Sequence, residues 1–482
     1  MKSISALIIL ISVLFLSACV KDKTKVPFND GDYPANIANI LVSKCATSGC
    51  HNTASKDGAA GIDFSTWSKM MEGGRAGATV IPFFHKQSTT FLFTNTYDDL
   101  GAKVIPTMPY NGTPLSHEEI ITLRDWIDAG APDKNGFVKF SDNPQRHKIY
   151  ITNQACQLVA VVDAESKLVM RYIQVGTAGQ AGSTHRVMVS ADGSFWCVCA
   201  IGGTVIQKFS TADDKLISET FIGTGSWNTF ALSHDGTKAF VVDFNGNVAA
   251  VDLANSIQTC AATGFAYPHG SALSIDEKFL YITGNKGNVI YKIDTSTFCT
   301  DYTEISVDGN APLAQHSGTS PDIHDILFSP DHSKYFITCE NTNEVRVMNA
   351  ANDSLLAIIP VGVFPQEMAF STSTPYLFVT CMEDVSTFPG NRGSVYVIDY
   401  NTLSVVKSLN TGWQPHGVAV DDVNKLVYVA NRNYASGGPA PHHSTDCAGR
   451  NGYLKLIDLN TLQLVSNFNT ELSVDPYSAA YR

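Results

Sequence analysis

Leu377-Phe378-Val379-Thr380, followed after a turn by Ser394 to Asp399, reads as two short strands. The first alternates bulky apolar residues and ends in threonine; the second ends in Val-Ile-Asp. The same pattern recurs along most of the chain. Leu280-Tyr281-Ile282-Thr283 is followed by Asn288 to Asp294, Tyr335-Phe336-Ile337-Thr338 by Glu344 to Met348, and Phe240-Val241-Val242-Asp243 by Asn247 to Asp252. Val427-Tyr428-Val429-Ala430-Asn431 precedes Tyr453 to Asp458, and Ile149-Tyr150-Ile151-Thr152 precedes Leu158 to Asp163. Phe195 to Ala200 begins the seventh and most divergent copy. A unit repeating every roughly 40 to 55 residues, with turn signals between strands, predicts a ring of small sheets.

The ends of this region complete the pattern. The first unit lacks an innermost strand, and Pro476 to Tyr481 reads as a lone strand that would supply it. Joining the two covers both open sheet edges. The repeats resemble the seven-bladed propellers named for a Tyr-Val-Thr-Asn motif, over residues 146–482. The resemblance implies a seven-bladed β-propeller whose C-terminal strand closes the first blade.

Upstream the texture changes. Ile37 to Leu41 gives an apolar helix face running into Cys45-Ala46-Thr47-Ser48-Gly49-Cys50-His51. Two cysteines with an adjacent histidine suit covalent c-type haem, the thiols forming thioethers and the imidazole becoming the proximal iron ligand. Four residues separate the cysteines where two are usual. A zinc knuckle lacks a fourth ligand at the usual spacing, and a plain disulfide is the other competing reading. Met108, between Pro106 and Pro109, is the candidate sixth ligand, held in a stiff loop; His85 is the alternative. Ser116 and Glu119 form a capping box that opens a helix with Ile120, Leu123, Trp126 and Ile127 as its packing stripe.

The Cys45–His51 motif, Gly61 to Trp67, Met108-Pro109 and Trp126 to Pro132 occur in that order. Together they resemble small monohaem cytochrome c domains of bacterial surface lipoproteins, and the resemblance implies Met108 as distal ligand. The fold class expected is therefore mainly β: a small all-α cytochrome c domain over 34–133, a linker over 134–145, and the propeller over 146–482.

Residues 1–18 read as an export signal, with Lys2 followed by the apolar run Ile4 to Leu16. Leu16-Ser17-Ala18-Cys19 resembles the bacterial lipoprotein box, which implies lipidation of Cys19 and a tether over 19–33. The expected location is outside the cytoplasm, anchored to a membrane and facing the periplasm or the cell surface. Export also permits disulfides. The formal net charge of -12 and the absence of a basic stripe exclude nucleic acid as a partner.

Ten of the thirteen histidines fall in the propeller region. His147, His234 and His332 lie in or beside turns on one face. The other seven lie on the opposite face, where propellers usually bind. His185, His269, His324 and His416 share one repeat position at the start of an innermost strand; Asn228, Gln366 and Tyr477 occupy it in the other blades. His316 sits in an insertion before His324, and His442 and His443 in a second insertion over 433–451. Convergent imidazoles suit copper or another transition metal; a repeat-position histidine pairing with neighbouring backbone is the plainer reading. Asp325, Glu340, Glu367, Arg186, Arg432 and Trp413 are candidate surrounding groups. Cys156 and Cys447 lie in loops of blades adjacent across the closure and are candidates for a disulfide. Nitrous oxide reductase, methanethiol oxidase-like proteins and propeller nitrite reductases share parts of this architecture, but none shares its motifs.

Two functions remain open at this stage. In one, haem c passes electrons to or from a metal centre or small-molecule substrate on the histidine-rich face, as an oxidoreductase or with a redox partner protein. In the other, the propeller is a ligand- or protein-binding module and the haem domain a simple relay.

Overall fold

A computed structural model of the chain describes residues 29–177, 182–298, 301–440, 447 and 449–482. Seven antiparallel sheets follow one another. Six of them start from the innermost strands Ser183–Val189, Trp227–Leu232, Pro268–Leu273, Ile323–Phe328, Pro365–Phe370 and Pro415–Asp421. The remaining sheet takes Lys148–Asn153, Leu158–Asp163 and Val169–Gln174 from its own start, and Pro476–Tyr481 pairs with Lys148–Asn153 from the other end of the chain. Each innermost strand contacts the next around a single axis, and Pro476–Tyr481 contacts both Pro415–Asp421 and Ser183–Val189. The arrangement is a seven-bladed β-propeller. Blade 1 here contains Lys148–Asn153, and blades 2 to 7 follow in chain order.

Burial peaks at the second strand of each blade and falls off toward the outermost, and this is why the second strands read so clearly in the sequence. Lys148–Asn153 and Leu426–Asn431 are buried at every residue, whereas the outer strands Leu216–Phe221 and Leu355–Pro360 are mostly exposed. Apolar cores lie between blades. Phe378 and Val397 pack with Val418 and Val427, and Tyr281 and Ile290 with Ile323 and Tyr335. Each blade thus buries its faces only against its neighbours.

The turns away from the candidate face follow a Ser-x-Asp pattern. Ser190, Ser233, Ser274 and Ser329 donate hydroxyl hydrogen bonds to Asp192, Asp235, Asp276 and Asp331 at 2.6 to 2.8 Å. These bonds and nearby backbone N–H groups favour the ionised carboxylate. They hold all four acids below the usual range, Asp235, Asp276 and Asp331 to about 2. A depressed folded-state value makes a contribution that is present above the unfolded value near 4 and lost below it. Stability should therefore fall as pH drops from about 4 to about 2. Circular dichroism melts over that range check this, and a flat profile would contradict it.

The region before the propeller is less helical than expected. Its regular elements are α1 (Ala35–Ile40), a π turn over Leu41–Cys45, α2 (Trp67–Met70), α3 (Thr89–Thr94), α4 (His117–Asp128) and a few 3-10 turns. The all-α expectation is corrected to short helices joined by long turns. Gly-rich and Pro-rich stretches such as Gly73-Gly74 and Pro106 to Pro114 interrupt helical hydrogen bonding. Only α4 has a complete capping box, Ser116 with Glu119 as anticipated. A separate core holds the region together: Tyr33, Ile37, Leu41, Cys45, Trp67, Met70, Phe91, Leu123 and Trp126 cluster. Trp67 and Trp126 both donate indole N–H bonds to the Ala131-Pro132 segment, at 2.8 and 2.9 Å.

A strap over residues 76–87 docks this region on blades 7 and 1. Ala76 O accepts from Glu471 N at 3.1 Å, and Gln87 Nε2 donates to Ser473 Oγ at 3.2 Å. Ile81 is buried among Tyr172 and Leu472 of the propeller.

Candidate functional site

Every innermost strand carries a register shift at one shared point. It falls between Thr184 and Val187, Trp227 and Thr229, Pro268 and Ser271, Ile323 and Ile326, Pro365 and Met368, and Pro415 and Val418, with its counterpart opposite Pro476 to Ala479. Such bulges re-aim side chains. Here they hold His185, Asn228, His269, His324, Gln366, His416 and Tyr477. The sequence-derived equivalence of these positions is what the registers show.

The four imidazoles form one buried cluster. His185 is 5.7 Å from His269 between ring centroids, His269 is 4.0 Å from His324, and His324 is 5.8 Å from His416. Tyr477 stacks on His416 at 3.6 Å and lies 4.4 Å from His185, so it closes the circle. Phe244, which sequence reasoning missed, fills the side left open by the small Asn228, 5.1 Å from His269. Burial holds all four imidazoles below the ordinary value, His269 to about 4. They are neutral and present lone pairs.

Threonines of the repeat explain the spacing of the ring. Thr152, Thr283, Thr338 and Thr380 each donate a hydroxyl hydrogen bond, at 2.7 to 3.0 Å, to the carbonyl of the ring residue in the following blade: His185, His324, Gln366 and His416. Gly270 and Gly417 follow two of the histidines for a second reason. A Cβ at Gly270 would stand 2.6 Å from His324 O, and one at Gly417 would stand 2.4 Å from Tyr477 O. Their absence lets the next blade come close enough for His269 Nδ1 to meet His324 O at 3.1 Å and His416 Nδ1 to meet Tyr477 O at 3.0 Å. Thr380→Val keeps the shape and removes the donor to His416 O. The variant should lose about 1–2 kcal/mol in chemical denaturation; unchanged stability would contradict the assigned role.

Charged groups surround the cluster. Arg186 Nη1 bonds Glu367 Oε1 at 3.0 Å, and Arg432 pairs with both oxygens of Asp475 at 2.6 and 3.0 Å. Glu340 Oε1 lies 3.7 Å from His324 Nε2 and accepts from Gln366 Nε2 at 2.8 Å. Burial pushes Glu340 and Glu367 up to about 7. Trp413 stands away from the ring, its indole donating to Ala435 O at 3.0 Å. Among the described residues no group of three or more His, Cys, Asp or Glu is placed so that it could hold a metal ion.

His316 does not join the ring. It is exposed and its Nδ1 is paired with Asp322. His442 and His443 lie outside the described residues, as do Cys19 and the segment 1–28. Cys156 and Cys447 are disulfide-bonded, with Cα atoms 5.4 Å apart. Cys339 and Cys381 are buried free thiols. No helix among the described residues is long and apolar enough to cross a membrane.

At the other candidate site, Cys45 ends the π turn and is buried, while Cys50 is exposed; both are free thiols. His51 N donates to Cys45 O at 3.1 Å and Phe64 N to His51 O at 2.9 Å, so the intervening loop is pinned at both ends. His51 Nδ1 is buried without a hydrogen-bond partner, and burial keeps the imidazole below its ordinary value. Burial raises the Cys45 thiol to about 12, with the Cys50 charge adding to it. These groups fit the donor set of a covalent haem: two free thiols that sense each other and a neutral imidazole with an unused nitrogen. Met108 N donates to Phe93 O at 2.7 Å, which ties the Met108 loop to α3 and so to the core containing Cys45. His85, the alternative ligand, is engaged by Asp128, with Nδ1 2.7 and 2.8 Å from its oxygens.

No family model and no curated protein matches the chain. Among solved structures, it is similar to a functionally unknown protein from Desulfotomaculum acetoxidans: 13% identity over 69% of this chain and 100% of that one, TM-score 0.50. It is also similar to Kuenenia stuttgartiensis hydrazine synthase: 17% identity over 64% of this chain and 91% of that one, TM-score 0.49. At such identities the likeness concerns fold alone.

Proposed function

We propose that the chain is an exported, lipid-anchored haem c protein that transfers electrons, with the axial face of a Tyr-Val-Thr-Asn-type propeller as the place where a metal, substrate or redox partner protein is met. The observation that carries this reading is the Cys45–His51 turn, where two free thiols precede a partly buried imidazole with an unpartnered nitrogen. A haem bound there supplies one-electron chemistry at a potential set by its axial ligands. Cys45 and Cys50 would anchor it covalently, His51 would ligate one side of the iron and Met108 the other. The short helices and the docked strap hold this port against the propeller. Cys19 would carry the lipid.

A second reading keeps the haem domain as a relay and makes the propeller a binding module. The bonds of His269 and His416 to neighbouring carbonyls favour it, because Asn228 makes the same kind of bond, Nδ2 to Pro268 O at 3.1 Å. The test of the first reading is a redox titration of the protein matured with haem, beside Met108→Ala. Met108→Ala should lose the methionine-linked absorption and show a lower midpoint potential. An unchanged spectrum would remove Met108 as ligand.

A further inference from the structure

Two neighbouring blades depart from the repeat where the chain passes from second to third strand. In blades 1 to 5 it crosses in a short turn, as from Asp243 to Asn247 or from Cys339 to Glu344. In blade 6 it runs from Cys381 to Ser394, and in blade 7 from Asn431 to Asn451. Blade 7 also breaks its outermost strand into two pieces, Gln463–Leu464 and Thr470–Val474, where each other sheet has one strand. Lys455 falls in that break, between the paired positions Leu454 and Ile457. Departures from a locally consistent pattern concentrate at functional sites.

A cavity of about 320 Å³ opens where these departures meet, within the size of small-molecule sites. Asn391 of the first long connection, Pro439 of the second, and Trp413, Tyr453, Lys455 and Asn469 line it. The aromatic wall is fixed before any ligand arrives. Trp413 donates its backbone N–H to Tyr453 Oη at 2.6 Å, and its carbonyl accepts from Asn433 N at 3.2 Å. Gly437 and Gly438 lie against the indole, where a Cβ would stand 3.1 and 2.7 Å from ring atoms. A wall held this way loses little freedom on binding.

The polar groups of the cavity are unmatched. Lys455 Nζ donates to Phe468 O at 3.1 Å, but its charge has no carboxylate partner among the described residues, and burial alone shifts it, downward. Arg450 adds positive charge behind Pro439, its guanidinium donating to Gly438 O and Pro439 O at 2.8 Å each. Asn469 Oδ1 is buried without a hydrogen-bond partner, which is unfavourable unless a ligand supplies a donor. The fitting ligand brings a negative charge, a hydroxyl hydrogen and an apolar face.

We propose that this cavity binds a sugar acid, a hydroxylated ring carrying one carboxylate, such as a uronic acid. The carboxylate meets Lys455 and a hydroxyl donates to Asn469 Oδ1. Asn391 offers an amide to a further hydroxyl, and the C–H face of the ring packs against the aromatic wall. The proposal rests neither on the haem nor on the histidine ring.

The test titrates the full chain with glucuronate and galacturonate, beside glucose, galactose and acetate, by calorimetry and saturation-transfer NMR. At least one uronate should bind about tenfold or more tighter than its neutral hexose and than acetate. Lys455→Met keeps the stem and removes the charge, and should lose that preference while keeping the native circular dichroism. Should it fail to fold, Asn469→Ala provides the second test and should weaken the uronate by about tenfold. Cys45→Ala with Cys50→Ala should bind the uronate as wild type does, so failure of the haem reading and failure of this one are told apart. Wild-type protein that binds neither uronate overturns the proposal. So does a folded Lys455→Met protein with wild-type affinity, or acetate or a neutral hexose bound as tightly as the uronates.

Discussion

Removal of Pro476–Arg482 is expected to abolish cooperative folding of the propeller. The strand pairs Ile149 with Tyr481, Tyr150 with Ala480, Ile151 with Ala479 and Asn153 with Pro476. Without it, the fully buried strand Lys148–Asn153 has an open edge, and the inner ring is broken between blades 7 and 2. Each orphaned buried backbone group costs about 1–3 kcal/mol, and native stability is typically only about 5–15 kcal/mol. Several such groups outweigh it. Arg482 adds to the loss, because its guanidinium donates to Gly193 O at 2.9 Å and to Pro144 O at 2.8 Å. Denaturant unfolding and limited proteolysis measure the effect. A sharp transition at the wild-type midpoint would show that the closing strand is dispensable.

Cys50→Ala, and Cys45→Ala more strongly, should abolish stable covalent haem attachment in a host that matures c-type cytochromes. The propeller should be spared, since the two thiols touch none of its blades' cores. Haem staining on denaturing gels reads the attachment, and the unfolding transition of the β-structure reads the propeller. Haem retained by the double variant would assign the iron to other residues. Zinc lost from the variants in place of haem would return the motif to a knuckle.

The propeller was legible because its second strands are buried on every side. Such strands are mostly runs of apolar residues, several with a threonine near the end, so they stand out in Leu377 to Thr380 and Tyr335 to Thr338. The same burial made the histidine position legible as a repeat feature. What the chain did not declare was the purpose of the threonines, whose hydroxyls reach a carbonyl in the next blade. Contacts across blades have no local signature. The same holds for Phe244, which enters the ring only because Asn228 leaves space. His316 was placed with the ring from its insertion alone, but Asp322 lies close enough to hold it outside. The Cys156–Cys447 bond was legible because blade order makes the two loops neighbours across the closure. The first region was read as more helical than it is. Its motifs were separable in sequence, but the glycine and proline stretches between them carry turns, and only Ser116 and Glu119 marked a helix start correctly to the residue.

The central claim is that Cys45 to His51 holds a covalent haem used for electron transfer. The most direct measurement is the mass and reduced pyridine spectrum of the peptide spanning residues 45–51, cut from wild-type protein matured in a competent host. The account predicts one haem bound through both cysteines. A peptide with two unmodified thiols, or with Cys45 joined to Cys50, would contradict it.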